Sequence, residues 1–197
     1  MYEENYGAEF SSNRKHRYML WRTWNLEISQ RAVFVGLNPS QADEETDDPT
    51  LRRCQSFARS WTGKWRCGGL FVVNLYSFCS PSPAELFRVA APVSKKAEQR
   101  LEHLCSQPDS LVIGMWGNHG LRNDRCHQFT AWAKANDITI HCLTVNTSGT
   151  PAHPLYLKKG LKPKVYKASF DKVLKKKAFK KTAGQQRSPI HHISSYG

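Results

Sequence analysis

Four short apolar runs, each ending in a loop rich in Gly, Pro or Asn, are the feature that most constrains the fold of this chain. They lie within residues 31–39, 68–78, 111–120 and 138–145. Each run has the length of a strand, and its apolar residues are continuous rather than alternating. Continuous apolar runs are typical of strands buried on both faces, as in a parallel sheet.

Helical patterns alternate with these runs. Residues 51–61 carry apolar side chains at helical spacing after a start signal at Asp48-Pro49-Thr50, and residues 94–105 repeat the pattern. Strands that alternate with helices favour helices on both faces of one sheet. We predict an α/β fold with three layers, α/β/α, around a central, mostly parallel four-stranded sheet.

The chain has 197 residues, of which 40% are hydrophobic, as expected for one folded domain. We expect a flexible N-terminus at 1–16, the α/β domain at 17–157 and a Lys-rich C-terminal extension at 158–197. The extension contains eleven Lys, one Arg and one Asp, so it carries +11 of the total net charge of +13. Such a charge run is either a solvated tail or an arm for phosphate backbones, and we favour the arm.

The six Cys residues are scattered, with no C-x-x-C pair and no signal peptide before them. This pattern favours reduced thiols and a cytoplasmic location. Neither Cys126-His127 nor His141-Cys142 has the spacing of zinc ligands, so we expect no metal and no cofactor. No apolar run is long enough to span a bilayer. We expect a monomer without a membrane partner.

Amide and imidazole side chains follow the apolar runs where strands end. They are Asn38, Asn74, Asn118 with His119, and His153. In an open α/β sheet, ligands bind beyond the carboxyl ends of the strands. An Asn side chain offers a donor and an acceptor and can pair with two atoms of a planar base. Asn118 precedes a helical segment in Gly-Asn-His-Gly and is better explained as a turn residue.

The order of the blocks GLNPS, FVVN, VIGMWGNHG and HPLYL resembles the uracil-DNA glycosylase superfamily. That superfamily has a water-positioning loop, an Asn that reads the pyrimidine, a strand ending in Trp-Gly and a final His-Pro loop. Over nearly all of 17–157 the chain also resembles the bacterial and phage family called domain of unknown function sixteen-forty-three. The blocks of that second resemblance are RYMLWR, GLNPSQAD, DDPTLRRC, GGLFVVNL, WGNHG and HPLYL.

The glycosylase resemblance implies roles for several residues. Asn38 would orient the attacking water, Asn74 would pair with the base, and neutral His153 would donate to the oxygen on which charge develops. Ser40 replaces a bulky aromatic residue and would leave room for a 5-substituted pyrimidine. The other residues that we assign to the base-binding wall are Gly36, Leu37, Pro39 and Phe57.

The resemblance also implies contacts with nucleic acid. Leu157 falls where the superfamily places the side chain that fills the gap left by a flipped nucleotide, although a core position is an equally good interpretation. Lys158 and Lys159 would then lie where phosphates pass. We also assign Arg52 and Arg53 to the nucleic-acid contact.

The acidic segment at 43–48 has no counterpart in the glycosylase pattern. Its carboxylates could cap the helix that starts near Thr50, pair with Arg52 and Arg53, or hold a cationic substrate or metal. We favour the first two uses. If the third holds, Asp47 and Asp48 are the candidates that would bind an amine or activate water.

These features predict an enzyme that flips and processes a pyrimidine base in nucleic acid, in DNA rather than RNA, at the N-glycosidic bond. Two alternatives remain open. The protein could be a non-catalytic reader of a modified base, or it could be an enzyme that acts on free nucleotides.

Overall fold

The computed structural model describes residues 5–168, which form one mixed sheet with helices packed against it. The strands are β1 Tyr6–Phe10, β2 Arg17–Thr23, β3 Arg31–Gly36, β4 Gly69–Asn74, β5 Ser110–Gly114, β6 His141–Cys142 and β7 Lys164–Val165. Their order in the sheet is β1-β2-β4-β3-β5-β6-β7. Within the described residues, β3 pairs parallel with β4 and β5, and β5 pairs parallel with β6. The pairs β1–β2, β2–β4 and β6–β7 are antiparallel.

Helices cover both faces of this sheet. They are α1 Pro49–Ser60, α2 Pro83–Leu86, α3 Lys95–Cys105 and α4 Arg125–Ala135, with 3-10 turns at Gly63–Trp65, Asn118–Asp124 and Pro154–Tyr156. The buried face of α1 packs with Leu20, Phe34 and Val72 of the strands. Alternate strand residues point to the other face, where α3 contacts β2, β4, β3 and β5.

The predicted α/β class is confirmed, and the four apolar runs contain the neighbouring parallel strands β3 to β6. The predicted four-stranded sheet is too small, because three antiparallel strands extend it at both edges. The fourth run forms only the two-residue strand β6 rather than a strand over 138–145. The prediction of a flexible segment at 1–16 is wrong for Tyr6–Phe10, which pair with β2 as β1.

Two glycines make room for a large indole at the carboxyl end of β5. Trp116 is 2% exposed. A Cβ atom at Gly114 would lie 2.7 Å from the Trp116 ring, and one at Gly120 would lie 2.2 Å from it. Real Cβ atoms do not approach a ring so closely, so the Trp116 indole can pack here only with glycine at positions 114 and 120.

The folded part of the chain continues past the predicted boundary at residue 157. The indole N–H of Trp61 donates to the carbonyl of Leu161 over 3.0 Å. Further along the chain, β7 pairs with β6, and the next residue, Tyr166, is buried. Residues 169–197, which hold much of the Lys-rich extension, lie outside the described residues. Among residues 5–168, no helix is both long enough and apolar enough to cross a bilayer.

This continuation predicts that a chain ending at residue 168 is far more stable than one ending at residue 157. The shorter chain loses the buried ring of Tyr166 and the acceptor for Trp61. We expect its free energy of unfolding to be lower by about 3–5 kcal/mol, the usual effect of removing a large buried aromatic side chain. Urea unfolding followed by tryptophan fluorescence measures this difference. Equal midpoints and slopes for the two chains would contradict it.

Candidate functional site

A cleft of about 470 Å³ opens beyond the carboxyl ends of β3, β4 and β5. This volume lies in the range of small-molecule sites. Asn38, Asn74 and His153 all line it, although they come from three separate segments: the loop after β3, the end of β4 and the loop before the last 3-10 turn. The sequence therefore predicted correctly that these three side chains lie at one cavity. The chemical roles assigned to them stay predictions.

The amide of Asn38 is held in one orientation by two backbone carbonyls. Its Nδ2 donates to the carbonyls of Pro39 and Ser80, both over 2.9 Å. Since carbonyl oxygens only accept, nitrogen must face them. Both N–H groups are thereby used, and Oδ1 accepts no hydrogen bond from the described residues. Asn38 is half-buried at the cleft wall and offers an acceptor there.

Arg17 and Gly36 set the position of the Asn74 amide. Nη2 of Arg17 donates to Oδ1 of Asn74 over 3.4 Å. Because a guanidinium only donates, the oxygen must face Arg17 and Nδ2 is left on the other side. A Cβ atom at Gly36 would lie 2.6 Å from that Nδ2. Glycine at this position therefore lets the amide lie against the end of β3 and offer a donor.

His153 is presented by the 3-10 turn at Pro154–Tyr156. The backbone N–H of Leu155 donates to Nδ1 of His153 over 3.4 Å. In the neutral ring this bond places the proton on Nε2. Burial lowers the pKa of His153 below its ordinary value, and the nearby carboxylate of Asp48 raises it by a smaller amount. The ring is thus a neutral imidazole with a donor N–H.

Arg17 is a cleft residue that sequence reasoning missed. It is the first residue of β2, but β2 runs antiparallel to β4, so its start lies at the edge where the parallel strands end. The side chain is 5% exposed, and its Nη1 donates to the carbonyl of Ala42 over 2.8 Å. Burial lowers the pKa of Arg17 to about 10, which leaves the guanidinium charged at neutral pH. The sequence signal that could have identified Arg17 is an arginine at the start of an apolar, aromatic run.

The acidic segment is used mainly to fix the chain that leads into α1. The Asp48 side chain accepts from the N–H of Leu51 over 2.7 Å, so the predicted helix cap is confirmed. Asp47 forms an ion pair of 2.8 Å with Arg22 of β2. Glu44 pairs with Arg14 over 2.8 Å.

The predicted pairing of the acidic segment with Arg52 and Arg53 is wrong. Arg52 donates to the backbone carbonyl of Asp47, and Arg53 donates to that of Leu157. Neither arginine lines the cleft. Asp47 also lies outside the cleft lining, whereas Asp48 is part of it.

The remaining assigned residues divide between the cleft and other places. Leu37, Ser40 and Leu157 line the cleft together with Gly36. Leu157 also packs against the core, and its role as the side chain that fills the gap left by a flipped nucleotide stays a prediction.

Phe57, assigned to the base-binding wall, is instead 1% exposed within the core. It faces the sheet because it lies on the same side of α1 as Leu51 and Cys54. Pro39 is buried, Lys158 and Lys159 are exposed, and none of the three lines the cleft.

Two further residues at this edge have clear structural settings. Asn118 lies at the start of a 3-10 turn, as predicted, and its Oδ1 accepts from Asn146, Ser148 and Thr150 over 3.1, 2.6 and 3.0 Å, so its side chain joins this turn to a second loop. Trp116 lines the cleft, and its buried Nε1 has no hydrogen-bond acceptor among the described residues.

These features define an α/β protein with a polar cleft at the carboxyl edge of its parallel strands. The chain belongs to the family described as "Protein of unknown function (DUF1643)", whose model matches residues 17–155, and this predicted membership is confirmed. No curated protein and no solved structure matches the chain.

The geometry of His153 predicts its tautomer. At pH 7 we expect neutral His153 with the proton on Nε2 and a pKa below the ordinary value, because burial disfavours the imidazolium. Long-range nitrogen–proton correlation spectra of the imidazole, recorded against pH, report both properties. In Asp48→Asn the pKa of His153 should fall further, since the carboxylate that favours the cation is gone. A proton on Nδ1, or a higher pKa in that variant, would contradict the assignment.

Proposed function

We propose that this protein binds a pyrimidine base of nucleic acid in the cleft and cleaves its N-glycosidic bond. The observation that carries the proposal is the convergence of Asn38, Asn74 and His153 on one cavity. The proposal agrees with the roles implied by the resemblance to the uracil-DNA glycosylase superfamily. A relationship between the parallel centre of this sheet and the fold of that superfamily belongs to the same proposal.

The hydrogen-bonding groups of the cleft are complementary to a pyrimidine with two ring carbonyls. Nδ2 of Asn74 and Nε2 of His153 are donors, because the opposite atom of each side chain is engaged by Arg17 or by Leu155. Two donors match two carbonyl oxygens such as those of uracil or thymine. Ser40 is a small residue at the same wall and leaves space for a 5-substituent.

The chemistry would be the attack of water on C1′ of the sugar. Oδ1 of Asn38 accepts from the water and aligns it, while the bond between C1′ and the ring nitrogen breaks and its electron pair leaves with the base. The N–H of His153 stabilises the negative charge that develops on the departing ring. The water proton passes to solvent, because an amide cannot take it as a carboxylate would. The reaction would therefore be slow.

One observation favours the second candidate, a non-catalytic reader of a modified base. Asp48 is the carboxylate residue that lines the cleft within the described part of the chain, and both its oxygens are engaged. One accepts from Leu51 N–H and the other from the hydroxyl of Ser40. The part of the chain that the structure describes thus places no free carboxylate in the cleft as general base, and a reader does not need one.

Base release separates the two candidates. Duplexes that contain uracil, a mismatched thymine or a 5-substituted pyrimidine are incubated with the protein and tested for alkali-labile abasic sites. We expect Asn38→Ala and His153→Ala to lower product formation by about 100-fold or more while binding persists. His103→Ala, which changes an exposed imidazole on α3, is the matched control.

Equal product from the wild type and the Asn38→Ala/His153→Ala double variant would end the catalytic assignment. Selective binding of modified duplexes without product would support the reader instead. Base release from a free nucleoside and DNA binding, both measured with a chain of residues 1–168, test the alternative that the protein acts on free nucleotides. This chain lacks six of the Lys residues of the extension. If it releases base from a free nucleoside but no longer binds DNA, nucleic acid is not the required substrate.

A further inference from the structure

The guanidinium of Arg17 lacks most of the partners that a buried arginine needs. A guanidinium carries five N–H groups. Among the described residues it donates to the carbonyl of Ala42 and to Oδ1 of Asn74, and its buried Nε has no acceptor. Three of the five N–H groups therefore have no acceptor within residues 5–168. No carboxylate of the described residues forms an ion pair with Arg17.

Arg22, the other buried arginine of β2, shows what a fully paired guanidinium looks like in this sheet. It is 8% exposed and forms an ion pair with Asp47 over 2.8 Å. It also donates to the carbonyls of Trp21 and Asp43 over 2.8 and 2.9 Å. Arg22 does not line the cleft, whereas Arg17 does. The arginine without a carboxylate is thus the one that faces the cavity.

A buried charge without a counterion is costly. The carboxylates of Asp48 and Asp43 act on Arg17 only at a distance and form no ion pair with it, and the oxygens of Asp48, which lines the same cleft, accept from Leu51 and Ser40. Neither of the neutral contacts of Arg17 balances its charge. A ligand with anionic oxygens in the cleft would supply the missing acceptors and the missing charge together.

We propose that Arg17 forms an anion subsite in the cleft, which binds a carboxylate or phosphate group of the ligand beside Asn74 and the 40–42 loop. The subsite rests on the proposed function in one respect, because the ligand that we expect to carry the anion is a pyrimidine or its nucleotide. The group can come from two sources. It is either an acidic substituent on the ring or the phosphate of the nucleotide.

Matched pairs of neutral and anionic ligands test the subsite and distinguish the two sources. Titration calorimetry at physiological salt compares uracil with 5-carboxyuracil and 6-carboxyuracil, and uridine with uridine 5′-monophosphate. Inorganic phosphate and benzoate are titrated alone. We expect at least one anionic ligand to bind about 10-fold or more tightly than its neutral partner, the usual effect of a charge-assisted hydrogen bond. A preference within the uracil set identifies a ring substituent, and a preference within the uridine pair identifies the phosphate.

Three variants connect that preference to Arg17. Arg17→Gln keeps the size and removes the charge, so the preference should fall to about twofold or less. Arg17→Lys keeps the charge and should retain part of it. Arg22→Gln is the matched control, which removes a buried charge from the same strand and should keep the preference even if stability falls. Circular dichroism of each variant confirms that it is folded before titration.

The outcomes separate this inference from the proposed function. If no pyrimidine binds but phosphate or benzoate binds and Arg17→Gln abolishes that binding, the subsite stands and the proposed function fails. If neutral and anionic partners bind equally, or if the preference persists in Arg17→Gln, the subsite is refuted while base binding stands. If the wild type binds none of the anions, the subsite is also refuted.

Discussion

The hydrogen bonds of the buried Arg17 guanidinium join two walls of the cleft. One runs to the Asn74 side chain at the end of β4, and the other runs to the Ala42 carbonyl in the loop after β3. Both depend on β2 running antiparallel to β4, because only that direction brings the first residue of β2 to the carboxyl edge. The orientation of the Asn74 amide, and hence the donor that it offers to a ligand, follows from this contact.

The parallel centre of the sheet could be predicted from the sequence because burial on both faces leaves a local signal. β3 and β4 are apolar at four consecutive positions, 32–35 and 70–73, whereas a helix on the surface of a sheet needs apolar residues only on one face. β1 and β2 lack this signal, because they carry polar and aromatic residues. Their pairing is a long-range property, in which Gly7 lies against the ring of Trp21. The two-residue strand β7 is too short to leave any pattern.

The candidate site, like the sheet, could be predicted in part from the sequence. Asn38, Asn74 and His153 were identified because polar residues directly after buried strands must gather at one edge of a parallel sheet. Arg17 was missed because its place depends on the antiparallel direction of β2. The assignment of Phe57 to the base-binding wall was wrong because a helical residue close in sequence to the loop can still face the core.

The acidic segment shows the same limit of local reasoning. Asp48 was correctly expected to cap α1, since capping depends on residues within one turn of the helix. The partners of Asp47 and Glu44 are Arg22 and Arg14, far away in sequence, rather than the neighbouring Arg52 and Arg53. The carboxylates of the acidic segment are thus explained by their contacts with the chain that leads into α1.

The most direct measurement of the central claim is a crystal structure of the protein soaked with uracil. The claim predicts the ring between Asn74 and His153, with Nδ2 of Asn74 and Nε2 of His153 at about 2.7–3.2 Å from the two ring carbonyl oxygens. An empty cleft in a crystal saturated with uracil, or a ring that contacts neither side chain, would contradict it.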